Sequence, residues 1–98
     1  MPHSSRRKRA VALSYQPQVY AAPQVVASGS GPVAERLLQL AKENNVPIHQ
    51  DPDLVTLLAQ LDIGAIIPPE LYAAVAEVLA FVYRVKVAAE NRQRAGGA

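Results

Sequence analysis

Three residue types of a hydrolytic triad occur in this chain, Ser14, His49 and Asp51. A serine nucleophile needs a histidine within hydrogen-bond reach and an acid to orient that histidine. Here His49 and Asp51 lie two residues apart at what reads as a strand end, and no nucleophile elbow surrounds Ser14 to raise its hydroxyl. The set reads as coincidence. Gly29-Ser30-Gly31 ahead of a helix offers backbone N–H groups of the kind that hold phosphate. Pro32 removes one of those donors and no Lys-Ser or Lys-Thr follows, so a tight turn accounts for the three residues. His3 and His49 are unclustered and the chain has no cysteine, which leaves nothing to build a metal site or a disulfide framework. Asp51 and Asp53 flank Pro52, where a helix start explains both without catalysis. No catalytic residue, metal ligand, cofactor or small-molecule substrate is expected.

What remains is a protein that works by binding. Its 98 residues allow one small domain, and with half of them hydrophobic there is enough for a modest core. The net charge of +2 conceals an uneven distribution: Arg6, Arg7, Lys8 and Arg9 form one basic run, and the rest of the chain carries six Lys+Arg against eight Asp+Glu. A nucleic-acid-binding domain spreads its basic residues over a folded face. A terminal cluster on a mildly acidic body reads first as a solvated arm, and a basic-armed adaptor for nucleic acid or another acidic surface is the alternative function class. No segment reaches the roughly 18 to 20 continuous apolar residues that span a bilayer, and the apolar run after the basic residues is too short for a signal peptide. The expectation is a soluble, cytoplasmic protein.

The elements that would position a binding surface follow from periodicity. Residues 1–9 read as a disordered basic arm. Ala10–Tyr15 alternates as a first strand, and Gln24–Ser28 follows as a second after a Pro-containing connection. From Pro32, the residues Val33, Leu37, Leu40 and Ala41 recur at helical spacing opposite Glu35, Gln39, Lys42 and Glu43, and Asn44-Asn45 suits the stop. Val46–His49 reads as a third short strand, which makes a parallel βαβ crossover with the second. Asp51-Pro52-Asp53 opens a short helix with Leu54, Leu57, Leu58 and Leu61 on its apolar face, expected to pack on the last helix. The longest element, Pro68–Lys86, is apolar almost all round: Leu71, Val75, Val78, Leu79, Val82 and Val85 make one stripe, widened by Tyr72, Ala76, Phe81 and Tyr83. So narrow a polar strip predicts that other elements cover most of it. Residues 89–98 read as a frayed tail. The fold class is therefore α/β, a small sheet of about three strands with at least one parallel βαβ unit, flanked by three helices of which the last is long.

Four blocks in this order carry a family resemblance: Ala10-Val11-Ala12-Leu13-Ser14-Tyr15, Ala22-Pro23-Gln24-Val25-Val26-Ala27-Ser28-Gly29, Asn45-Val46-Pro47-Ile48, and Ile67-Pro68-Pro69-Glu70-Leu71-Tyr72 running on to Ala80. Together they resemble the cytoplasmic C-terminal domain of the FlhB/YscU export-apparatus switch family over residues 10–88. The resemblance implies a non-enzymatic component of flagellar or type III protein export, cytoplasmic and peripheral to the inner-membrane export apparatus. Its implied partners are export substrates, export-gate membrane proteins and a membrane-anchored FlhB relative. Full-length members of the family cut themselves at Asn-Pro-Thr-His, by cyclisation of the Asn, just before the Ala-Val-Ala-Leu strand. At those positions this sequence has Ser5, Arg6, Arg7 and Lys8, so no asparagine can cyclise and self-cleavage is expected to be absent. What remains resembles the cleaved C-terminal fragment as a separate protein. By position, the family's apolar substrate-recognition depression would be lined here by Ala22, Pro23, Ala76 and Leu79.

Overall fold

Alternating apolar residues and turn chemistry build the first layer. The computed structural model describes residues 8–97, with side chains through Arg92. Strand β1 (Arg9–Ser14) pairs antiparallel with β2 (Gln24–Ser30), from Arg9 opposite Ser30 to Ser14 opposite Gln24. The register slips between Ala12 and Leu13, which face Ala27 and Val25, so Val26 is an extra residue in β2. Such a bulge tightens the local twist. It leaves Val25 fully buried and Val26 exposed.

The expected third strand and its parallel βαβ unit are corrected by the structure: among the described residues the sheet has two strands, and Val46–His49 is not one of them. Two backbone facts explain the difference. Helix α1 (Pro32–Glu43) ends with Asn45 in the left-handed conformation at φ 57°, and the N–H of Val46 reaches back to Ala41 O at 2.8 Å. Val46 is thereby committed to the helix cap, and Pro47 has no N–H to give a ladder. The far edge of β2 is meanwhile taken by Gly64–Ile67. Val25 N–H donates to Ala65 O at 2.9 Å, Gly64 N–H to Val25 O at 2.7 Å and Ile67 N–H to Pro23 O at 2.9 Å, around an antiparallel bridge between Gln24 and Ile66.

Helix α1 lies against the sheet through Ala34, which is fully buried, with Leu37, Leu38 and Ala41 half-buried beside it. Val33 and Leu40, expected on the buried face, are instead exposed. Approach is close enough that a Cβ on Gly29 would run into the Val33 side chain. Helix α2 (Pro52–Leu58) starts as its sequence predicts: Asp51 Oδ1 accepts from Leu54 N–H at 3.1 Å and Pro52 takes the first turn. It lies over β1 and sends Leu54 and Leu58 inward, while Leu57 faces out.

A 3₁₀ turn at Pro69–Leu71 leads into α3 (Tyr72–Gly97). The core joins Ala22, Val25, Leu54, Leu58, Ile67 and Val75, with Val11, Leu13, Leu71, Ala74, Val78 and Leu79 packed around it. The prediction that most of the last helix is covered holds only for its first turns. Tyr83 and Val85 are exposed, and the principal extents of 55 × 30 × 19 Å record an elongated molecule. The helical backbone also continues to Gly97 through the segment that reads as a frayed tail. The sheet and two short helices are simply too small to clothe 26 residues of helix.

Candidate functional site: an apolar depression beside the long helix

On a helix, residues at i, i+3, i+4 and i+7 form one stripe, and Tyr72, Val75, Ala76 and Leu79 have this spacing in α3. Across from them runs the connection between β1 and β2. Gln16 O accepts from both Val19 N–H and Tyr20 N–H at 2.9 Å, closing a turn that returns the chain toward α3. Pro23 O, bonded to Ile67 N–H at 2.9 Å, then ties the connection to the segment just ahead of α3.

Stripe and connection enclose an open depression of about 130 Å³, lined by Tyr15, Ala21, Ala22, Pro23, Tyr72, Val75, Ala76 and Leu79. Its deep part is Ala22, Pro23 and Val75, all buried; Leu79 is half-buried, and Ala76, Ala21 and the two tyrosines stand at the exposed rim. Ala22 and Ala76 create the space, because each stops at Cβ. No lining residue carries a charge at neutral pH. The arrangement suits an apolar group, with the tyrosine hydroxyls as its only side-chain hydrogen-bonding partners.

All four residues named for a recognition depression, Ala22, Pro23, Ala76 and Leu79, therefore meet around one hollow. Sequence reasoning missed Tyr15, Ala21, Tyr72 and Val75. Tyr72 and Val75 were within reach, since each lies four residues before Ala76 or Leu79 on one helix face. Tyr15 was not, because strand alternation groups it with Val11 and Leu13 on the core side, whereas it lies beyond β1 and is exposed.

The residues of the discounted chemistry have structural places. Asp51 caps α2, the His49 ring lies against Phe81 with centroids 5.3 Å apart, and Ser14 closes β1 opposite Gln24. The tight turn expected of Gly29-Ser30-Gly31 is corrected: Gly29 and Ser30 belong to β2, paired with Ala10 and Arg9, and Gly31 caps α1 at φ 58° while its N–H donates across the sheet to Lys8 O at 2.8 Å. Among the described residues no cluster of His, Asp and Glu could hold a metal ion, and no helix is long and apolar enough to cross a membrane. His3, the arm residues before Lys8, and the Ser5–Arg7 part of the cleavage-motif positions lie outside the described residues.

Comparison with known proteins turns this geometry into a kinship. The model of the FlhB HrpN YscU SpaS family matches residues 7–82. The chain belongs to that family. The uncharacterized protein YlqH of Bacillus subtilis (strain 168) is 40% identical over 86 residues, 88% of this chain and 92% of YlqH. The flagellar biosynthetic protein FlhB of Escherichia coli (strain K12) is 49% identical over 77 residues, 78% of this chain and 20% of FlhB. Among solved structures, the cytoplasmic domain of FlhB from Shewanella putrefaciens superposes with a TM-score of 0.79 at 34% identity, covering 86% of this chain and 66% of that one. The chain thus spans nearly all of YlqH and about a fifth of its FlhB relative. Membership of the FlhB/YscU family supports a role in flagellar or type III protein export, and the family is one of export-apparatus proteins.

Proposed function

We propose that this protein is a non-enzymatic binding module of a flagellar or type III export apparatus, and that the depression between α3 and the β1–β2 connection receives one bulky apolar side chain of an extended export substrate. The observation that carries the reading is the meeting of Ala22, Pro23, Ala76 and Leu79 around a single uncharged hollow in a chain of the FlhB/YscU family. Contact with one buried aliphatic or aromatic side chain is worth about 1.5–3 kcal/mol. That is weak for a stable complex, and it suits an apparatus that must release each substrate. The working unit is the folded body within residues 10–88, on the cytoplasmic side of the export gate. Export-gate membrane proteins and a membrane-anchored FlhB relative are its proposed neighbours, and residues 1–9 and 89–98 are not needed for substrate contact.

The test is a backbone amide shift titration of the full chain with an N-terminal peptide of a rod or hook subunit. Saturable shifts at Tyr15, Ala22, Ala76 and Leu79 are expected. Shifts absent there, with a response to duplex DNA confined to residues 6–9, would overturn the reading in favour of the basic-armed adaptor.

A further inference from the structure

The opposite end of the sheet holds a second cavity of different chemistry. A groove of about 460 Å³ is lined by Arg9, Ser28, Gly29, Ser30, Thr56, Ala59 and Gln60. Side chains alternate along a strand. Gly29 turns toward Val33 of α1, so Ser28 and Ser30 face the other way, toward α2. Arg9 is the register partner of Ser30, and Val11 that of Ser28. The sheet face that carries Val11, Leu13 and Val25 into the core therefore ends in two hydroxyls and a guanidinium. On α2's side, Thr56, Ala59 and Gln60 follow at i, i+3 and i+4.

The groove's donors are the Arg9 guanidinium, the Ser28 and Ser30 hydroxyls and the Gln60 amide, and no hydrogen-bond or ion-pair partner meets them among the described residues. Thr56 Oγ1 donates to Pro52 O at 2.8 Å, which leaves its oxygen to accept. No carboxylate lines the groove. The backbone of the basic run is anchored at this same end, through Gly31 N–H on Lys8 O.

We propose that this groove binds a short acidic peptide segment of a partner protein, with Arg9 pairing a carboxylate while Ser28, Ser30, Thr56 and Gln60 meet the peptide's polar backbone. The size falls within the roughly 300–1,000 Å³ of ligand pockets and exceeds what one phosphate fills. The mixture of donors with an acceptor and a neutral amide matches peptide groups, which both donate and accept. Single-stranded nucleic acid is held by stacking on aromatic side chains, and no aromatic residue lines this cavity.

The experiment titrates the labelled full chain with a hexaglutamate peptide, and in parallel with hexaglutamine, inorganic phosphate and duplex DNA. Saturable amide shifts at Ser28–Ser30 and Thr56–Gln60 are expected with hexaglutamate and not with hexaglutamine. Arg9→Gln should weaken that binding about tenfold, the loss of one charge-assisted hydrogen bond. Ala59→Glu, which puts a carboxylate into the groove without touching β1, should abolish it, while an Arg6→Gln/Arg7→Gln double variant should still show the groove shifts. Hexaglutamate shifts confined to residues 1–8 would overturn the proposal, as would an unchanged affinity in Arg9→Gln. An equal response of the groove to phosphate would reduce it to a simple anion site, and tighter binding of DNA at these residues would assign it to nucleic acid. Both of these results refute the peptide assignment. The apolar depression lies at the other end of the sheet, so shifts there report separately on the substrate reading.

Discussion

Replacing Ala76 by Asp separates binding from folding at the proposed substrate site. Ala76 lies on the exposed rim of the depression, four residues before α3's Ala80 and four after Tyr72. Its Cβ borders the space that an incoming side chain would fill. A carboxylate there would have to lose water as an apolar group closed on it, a cost that opposes the 1.5–3 kcal/mol gained by burying that group. Losing the whole gain corresponds to an affinity roughly 10- to 150-fold lower. Stability should change far less. The position is exposed, so the expected cost is the helix-propensity difference between Ala and Asp, about 0.5–0.7 kcal/mol. For a domain of this size that lowers Tm by about 2–5 °C. The assay is the peptide titration by amide shifts, with a thermal melt of the same sample. A variant that binds as tightly as the parent with its melt intact would refute the site. Should the melt collapse instead, Ala76→Phe provides the second route: it fills the hollow with an apolar ring and should block binding without introducing charge.

Three further outcomes follow from the packing. Ile67→Ala, at a position 1% exposed in the centre of the core, should cost about 2–5 kcal/mol and lower the urea midpoint without changing the slope. Gly29→Ala should destabilise by about 1–3 kcal/mol because its new Cβ meets Val33, and Val33→Ala in the same chain should recover only part of the loss, since it removes the Cγ atoms and leaves the Val33 Cβ in contact; independent, additive effects in that double-mutant cycle would contradict the contact. Asp51→Ala should cost about 1 kcal/mol by removing the acceptor for Leu54 N–H, whereas Asp51→Ser should retain most of the stability in the same denaturation measurement.

Local chemistry was legible where the deciding interaction is itself local. Asp51-Pro52-Asp53 starts α2, and Asn45 ends α1 with its positive φ, because a cap is made by residues within one turn of each other. The two strands and three helices were likewise readable from periodicity. The proximity of Ala22 and Pro23 to Ala76 and Leu79 came from the family resemblance; nothing in their spacing along the chain reveals it. Residue pattern also cannot say which stretch will occupy the edge of a strand. Val46–His49 has the apolar look of a strand, yet Gly64–Ile67 takes the β2 edge, since its backbone groups reach Pro23 and Val25 while the Val46 N–H is engaged in the helix cap.

Sequence alone determined the three helices and the two strands that pair, the absence of cysteine chemistry, the division between a basic run and an acidic body, and the resemblance to the FlhB/YscU family. Tertiary structure alone decided the antiparallel two-stranded sheet, the exposure of α3 beyond its first turns, the inclusion of Tyr15 and Tyr72 in the depression, and the polar groove at Arg9, Ser28 and Ser30. The physical reason is the range of the interactions. Helix caps, proline placement and hydrophobic periodicity act over a few residues, whereas edge pairing and cavity walls depend on which distant segments compete best for the same backbone groups and the same space.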